Sequence, residues 1–145
     1  MRVTLAFICT ACIFLGCAAA DRSSPPASIE GCLYAQFFDQ QSERGIVLRD
    51  PDSGRIHAVR TPTDRIVELG EPFTVVSFGN LVHAGKTAET YGIMANSIPQ
   101  VSTWEQLRPY LSEGDEIRLL SGLDFGIAVI RGGHLHCLVI TDHND

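Results

Sequence analysis

Phe125-Gly126-Ile127-Ala128-Val129-Ile130-Arg131-Gly132-Gly133-His134-Leu135-His136-Cys137-Leu138-Val139-Ile140-Thr141 is the stretch that decides the fold. Two runs rich in β-branched and apolar residues flank Gly132-Gly133, and glycine supplies the positive φ that a two-residue hairpin loop needs. Pairing Arg131 with His134 sets Val129 opposite His136, Ala128 opposite Cys137 and Ile127 opposite Leu138. Side chains alternate between the two faces of a strand. Both faces of this hairpin are mostly apolar, so the hairpin is expected to lie between two layers.

Working outward, Glu116 to Leu120 alternates as a strand, and so does Cys32 to Phe38. Ile46-Val47-Leu48 and Ile56-His57-Ala58-Val59 flank Asp50-Pro51-Asp52-Ser53-Gly54, a second hairpin signal in which proline presets φ and Gly54 takes the positive φ. No glutamate closes that loop, so it does not have the ligand pattern of a calcium loop. Ile66 to Leu69 is a further short strand. Pro72-Phe73-Thr74-Val75-Val76-Ser77-Phe78 has the strongest β composition and is expected to be a core strand. Leu81 to Ala84 and Tyr91 to Ala95 are expected to pair across Gly85-Lys86-Thr87, whose glycine spacing does not fit a phosphate-binding loop.

One helix is expected. Ser102-Thr103-Trp104-Glu105 has the form of a capping box, and Trp104, Leu107 and Leu111 recur at helical spacing. Pro109 should end or kink that helix, because it lacks an amide donor. The expected fold is therefore α+β and mainly β: a small antiparallel barrel or sandwich of about seven short strands with one helix.

The amino terminus reads differently from the rest. Arg2 precedes an apolar run from Leu5 to Leu15, the layout of an export signal, and the run is too short to span a bilayer. Phe14-Leu15-Gly16-Cys17 resembles the lipobox of bacterial lipoproteins. The resemblance implies cleavage before Cys17, acylation of its thiol, and sorting to the periplasmic face of the outer membrane, since Ala18 and not an aspartate follows. The alternative is ordinary cleavage after Ala20, within Ala18-Ala19-Ala20, which would release a soluble periplasmic or secreted protein. Residues 1–16 are thus a signal peptide, 17–28 an anchor and Pro-containing tether, and 29–145 a single domain.

Cys9 and Cys12 fall inside the apolar run and act there as apolar filler. Cys32 and Cys137 remain as a pair in an oxidising compartment, and a disulfide between them is expected. Closing a loop of about 100 residues would contribute about 4–5 kcal/mol. Without Arg2, ten basic side chains face seventeen acidic ones. That balance repels phosphate backbones and argues against nucleic acid as a partner. Neither a nucleotide nor any other cofactor is expected.

His134 and His136 stand two apart on one strand, the spacing of a shared zinc or copper site. A third ligand could come from Asp142, His143, His57 or His83. No G-x-S-x-G or H-E-x-x-H is present, so the chain is not expected to be an enzyme. The reading is an envelope lipoprotein, membrane-attached through Cys17, whose domain binds another envelope protein or serves a structural role. Periplasmic metal binding is the alternative.

Overall fold

The computed structural model describes residues 28–38, 45–85 and 96–143. The fold is mostly β. Seven antiparallel strands form one curled, half-barrel sheet, accompanied by two short helices. The strands are β1 (Tyr34–Phe37), β2 (Ile46–Arg49), β3 (Ile56–Arg60), β4 (Ile66–Thr74), β5 (Glu116–Ser121), β6 (Asp124–Arg131) and β7 (His134–His143). Their spatial order is β1-β7-β6-β5-β4-β3-β2, so the chain builds a meander from β2 to β7 and β1 pairs with the last strand.

The β6–β7 hairpin takes the second and third places in that order, inside the β1 edge, and is buried on both faces. Ile127, Val129, Cys137 and Val139 belong to one apolar layer, which the helices cover. Ala128, Ile130, Leu138 and Ile140 belong to the other, with Val59, Val67 and Leu120. No helix residue joins this second layer among the described residues. The sheet buries it by curling on itself. Arg49 braces the curl, its guanidinium donating to the carbonyls of Gly54 (3.0 Å) and Gly133 (3.2 Å) and so joining the two hairpin turns.

The register departs from the simple alternation expected. Arg131 pairs with His134, but Val129 pairs with Cys137, Ala128 with Leu138 and Ile127 with Val139. A bulge between Val129 and Ile130 inserts one extra residue into β7. A bulge reverses the phase of the strand beyond it. That is why Leu135 lies in the inner layer with Leu138, while Cys137 lies in the helix-covered layer.

The expected core strand over 72–78 is half correct. β4 ends at Thr74, and Val75–Ala84 is helix α1. Thr74 Oγ1 accepts the Ser77 amide at 3.0 Å, and Ser77 Oγ accepts the Thr74 amide at 3.0 Å. These reciprocal bonds satisfy two amides at the helix start. Val75, Phe78 and Val82 then share one buried stripe. Leu81 to Ala84 is therefore helical and not a strand, and its expected partner Tyr91 to Ala95 lies outside the described residues.

The second helix, α2 (Val101–Leu107), begins at Gln100 and has no side-chain cap, so the Ser102–Glu105 box is not made. Glu105 instead pairs with His83 of α1 at 3.1 Å. The helix tightens into a 3-10 turn over Arg108–Tyr110, where Pro109 needs no amide partner. Trp104, Leu107 and Leu111 are all buried, as their spacing predicts. Trp104 packs on Phe78 with ring centroids 5.3 Å apart, and the missing side chain of Gly79 leaves room for its indole. No described helix is long and apolar enough to cross a membrane.

Gly126 is the glycine of closest approach in the β6–β7 hairpin. Its φ of 151° lies at a second register shift, and a Cβ there would overlap the Val139 carbonyl oxygen. Gly126→Ala is expected to lower unfolding free energy by roughly 3 kcal/mol, from backbone strain and displacement of β7. Gly114→Ala, in open space, should change it by less than about 0.5 kcal/mol. Urea titration of both variants checks the pair.

Candidate functional site

Cys17 and Ala20 lie outside the described residues. The other residues singled out in the sequence can be placed. Cys32 and Cys137 are both free thiols. Cys137 stands opposite Phe37, five positions along the chain from Cys32. Cys32 lies before β1 begins, and its Sγ donates to the Ile29 carbonyl at 2.9 Å. The expected disulfide is thus corrected to two thiols packed into one apolar layer, beyond bonding distance. Burial first, and the neighbouring Cys32 second, push the Cys137 thiol far up from its ordinary range. Thiolate is the reactive species, so Cys137 is inert while the domain is folded. Of these two thiols, a thiol reagent is expected to reach both after unfolding and only Cys32 before it.

His134 is exposed at the β6–β7 turn, whereas His136 is half-buried. The bulge at this point breaks the spacing on which the shared site depended. Among the described residues, no group of three or more His, Cys, Asp or Glu side chains is arranged to hold a metal. His143 lies at the far end of β7, His83 pairs with Glu105, and His57 is exposed on β3.

His136 instead joins a structural network. Its ring meets Phe37 edge-on at 5.9 Å, and Phe37 meets Tyr110 at 5.4 Å. Beside it, buried Asp115 accepts two bonds from Arg131, Nε to Oδ1 and Nη2 to Oδ2, both 2.7 Å. Arg131 also donates to the Tyr110 carbonyl at 3.1 Å, which fastens the hairpin to the end of the 3-10 turn. Burial pushes the Asp115 carboxyl upward, but Arg131 and the Ser112 amide outweigh it and hold the group below its usual range. Burial first, then Arg131, lower the basicity of His136. Its buried Nε2 has no hydrogen-bond partner among the described residues.

Both shifts have the same sign for stability. Each group is less readily protonated in the folded chain than in the unfolded one. Unfolding free energy should fall as pH drops through about 6.5, where unfolded His136 gains its proton, and fall again below about 3.9 as unfolded Asp115 does. His136→Phe should flatten the first limb and Asp115→Asn the second, read from urea titrations at successive pH values.

A second polar cluster, not foreseen as a unit, sits at the opposite end of the hairpin. Asp124, the first residue of β6, has a side chain only 1% exposed. Its Oδ1 lies 2.6 Å from His143 Nδ1 and 3.2 Å from an Arg65 guanidinium nitrogen. Its Oδ2 is buried and unpartnered among the described residues. Residues 65, 124 and 143 are far apart in the chain. Only the strand register brings them together, so no local motif could announce them. A carboxylate bonded at Nδ1 fixes the imidazole and leaves Nε2 as its outward nitrogen. Among the described residues, no hydroxyl or thiol is bonded to that nitrogen.

Two cavities of modest size lie beside the sheet's first strand and at the end of its last. One, of about 350 Å³, is lined by Ser28, Ile29 and Cys32 through Gln36, along the start of β1. The other, of about 190 Å³, lies between Gly31, Asn96, Ile98 to Gln100 and Thr141-Asp142. No family model, curated protein or solved structure matches the chain.

Proposed function

We propose that the chain is an envelope lipoprotein, anchored by acyl chains on Cys17, whose β domain is a protein-binding module. The observation that carries this reading is the spacing of its two parts. An export-type segment ends at Gly16-Cys17, and only ten residues, 18–27, separate that cysteine from Ser28. Ile29, the next residue, is already buried in the helix-covered core. The arrangement is an address, a short leash and a domain.

The binding role is supported by β1. It is four residues long and, among the described residues, pairs only with β7 and has no strand along its outer edge. Phe38 donates its amide to the His136 carbonyl, so antiparallel alternation turns the backbone groups of Ala35 and Phe37 outward. An extended segment of a partner could add to this edge through main-chain bonds, with the adjacent cavity taking a side chain. The acidic balance of the chain favours a partner with a basic surface.

Metabolic labelling tests the anchor. Labelled palmitate is expected to enter the wild-type chain and not Cys17→Ala, and the variant should leave the membrane fraction. A photo-crosslinking residue at Gln36 tests the binding role. It should give a discrete envelope adduct that the same residue at Val76, exposed on α1, does not give. Absence of palmitate removes the anchored reading, and matched crosslinking patterns remove the binding one.

A further inference from the structure

We infer that the sheet end carrying Leu33, Ile66 and Leu123 is a membrane-contact surface, held against the interface of the bilayer in which Cys17 is anchored. The inference rests on the anchored reading above and adds an orientation to it. Leu33, Ile66 and Leu123 are 60%, 61% and 63% exposed. They are distant in sequence, but the register gathers them. Leu33 donates its amide to the Ile140 carbonyl near the end of β7. His143, three residues on, pairs with Asp124, the neighbour of Leu123. Arg65, the neighbour of Ile66, reaches across to that same Asp124.

The chain arrives at this end. Ser28 and Leu33 line one cavity, so the domain end of the tether lies beside the first of the three apolar side chains. The ten intervening residues, even fully extended, reach no more than about 35 Å. An anchored domain is therefore confined close to the bilayer, with this end nearest its leash. A contact too weak to recruit a free protein is populated when the surface is supplied at high effective concentration.

The polar groups here are compatible with lipid headgroups. Arg60 and Arg65 are partly exposed beside the apolar residues, and their stems can lie along apolar surface while their guanidinium groups stay paired with Asp64 and Asp124. The neighbouring acids are already engaged: Asp64 by Arg60, Asp124 by Arg65 and His143, and Asp142 Oδ1 by the His143 amide. The net charge of −6 gives no general attraction to anionic lipid. The contact is therefore with zwitterionic phospholipid, driven by aliphatic burial.

The test uses the full acylated chain in phosphatidylcholine nanodiscs containing a lipid with a nitroxide near its headgroup. The methyl resonances of Leu33, Ile66 and Leu123 are expected to lose most of their intensity. Those of Val76 and Val101, exposed apolar residues on the helices, are expected to keep theirs. Equal broadening at all five sites, or broadening at none, overturns the inference and leaves the anchor standing. Shifts of the three methyls that follow protein concentration without nitroxide broadening would assign the patch to a second copy and also overturn it. A chain whose mass shows no acyl groups at Cys17 overturns the anchor and the inference together.

Discussion

Burial of the β6–β7 hairpin on both faces is the constraint from which the rest of the architecture follows. A strand with one apolar face needs one cover, whereas a strand with two needs a cover on each side. Here the two covers differ in kind. Helices α1 and α2 close one side through Phe78, Trp104 and Leu107. On the other side the sheet covers itself, bringing Val59 of β3 and Val67 of β4 over Ala128 and Leu138. The curl is thus a response to apolar surface that no helix reaches among the described residues. Arg49 holds the two turns at its rim together.

Much of this was legible in the sequence because it is local. Gly132-Gly133 fixes one hairpin and Pro51 to Gly54 another, and both form. Two features were hidden by competition between local signals. Val75-Val76-Ser77-Phe78 has strand composition, but Thr74 and Ser77 at capping distance, with Phe78 and Val82 at helical spacing, favour a helix once that side needs cover. β-Branched residues disfavour a helix by only a fraction of a kcal/mol each, which burial easily exceeds. The β7 bulge has no composition signature. It arises because Leu135 and Leu138 both belong inside, a demand that strict alternation cannot meet.

The polar sites were less legible, for a different reason. An even number of cysteines says that a bridge is arithmetically available, not that two sulfurs meet, and geometry decides. Spacing of two between histidines says that they share a face only where the strand is regular, and β7 is irregular at that point. The Asp124, Arg65 and His143 cluster needs three strand ends in register. Composition and periodicity carry no information about such an arrangement.

β1 stands at the edge of the sheet and pairs with β7, so the first strand of the domain depends on the last. Pairing between segments about a hundred residues apart raises contact order and slows folding. A chain delivered amino terminus first has β1 waiting, unpaired, until the final strand arrives. The same dependence keeps the sheet incomplete for as long as the carboxyl end is withheld. Compaction of the whole sheet is thereby postponed to the last step of the chain's delivery, whatever route that delivery takes.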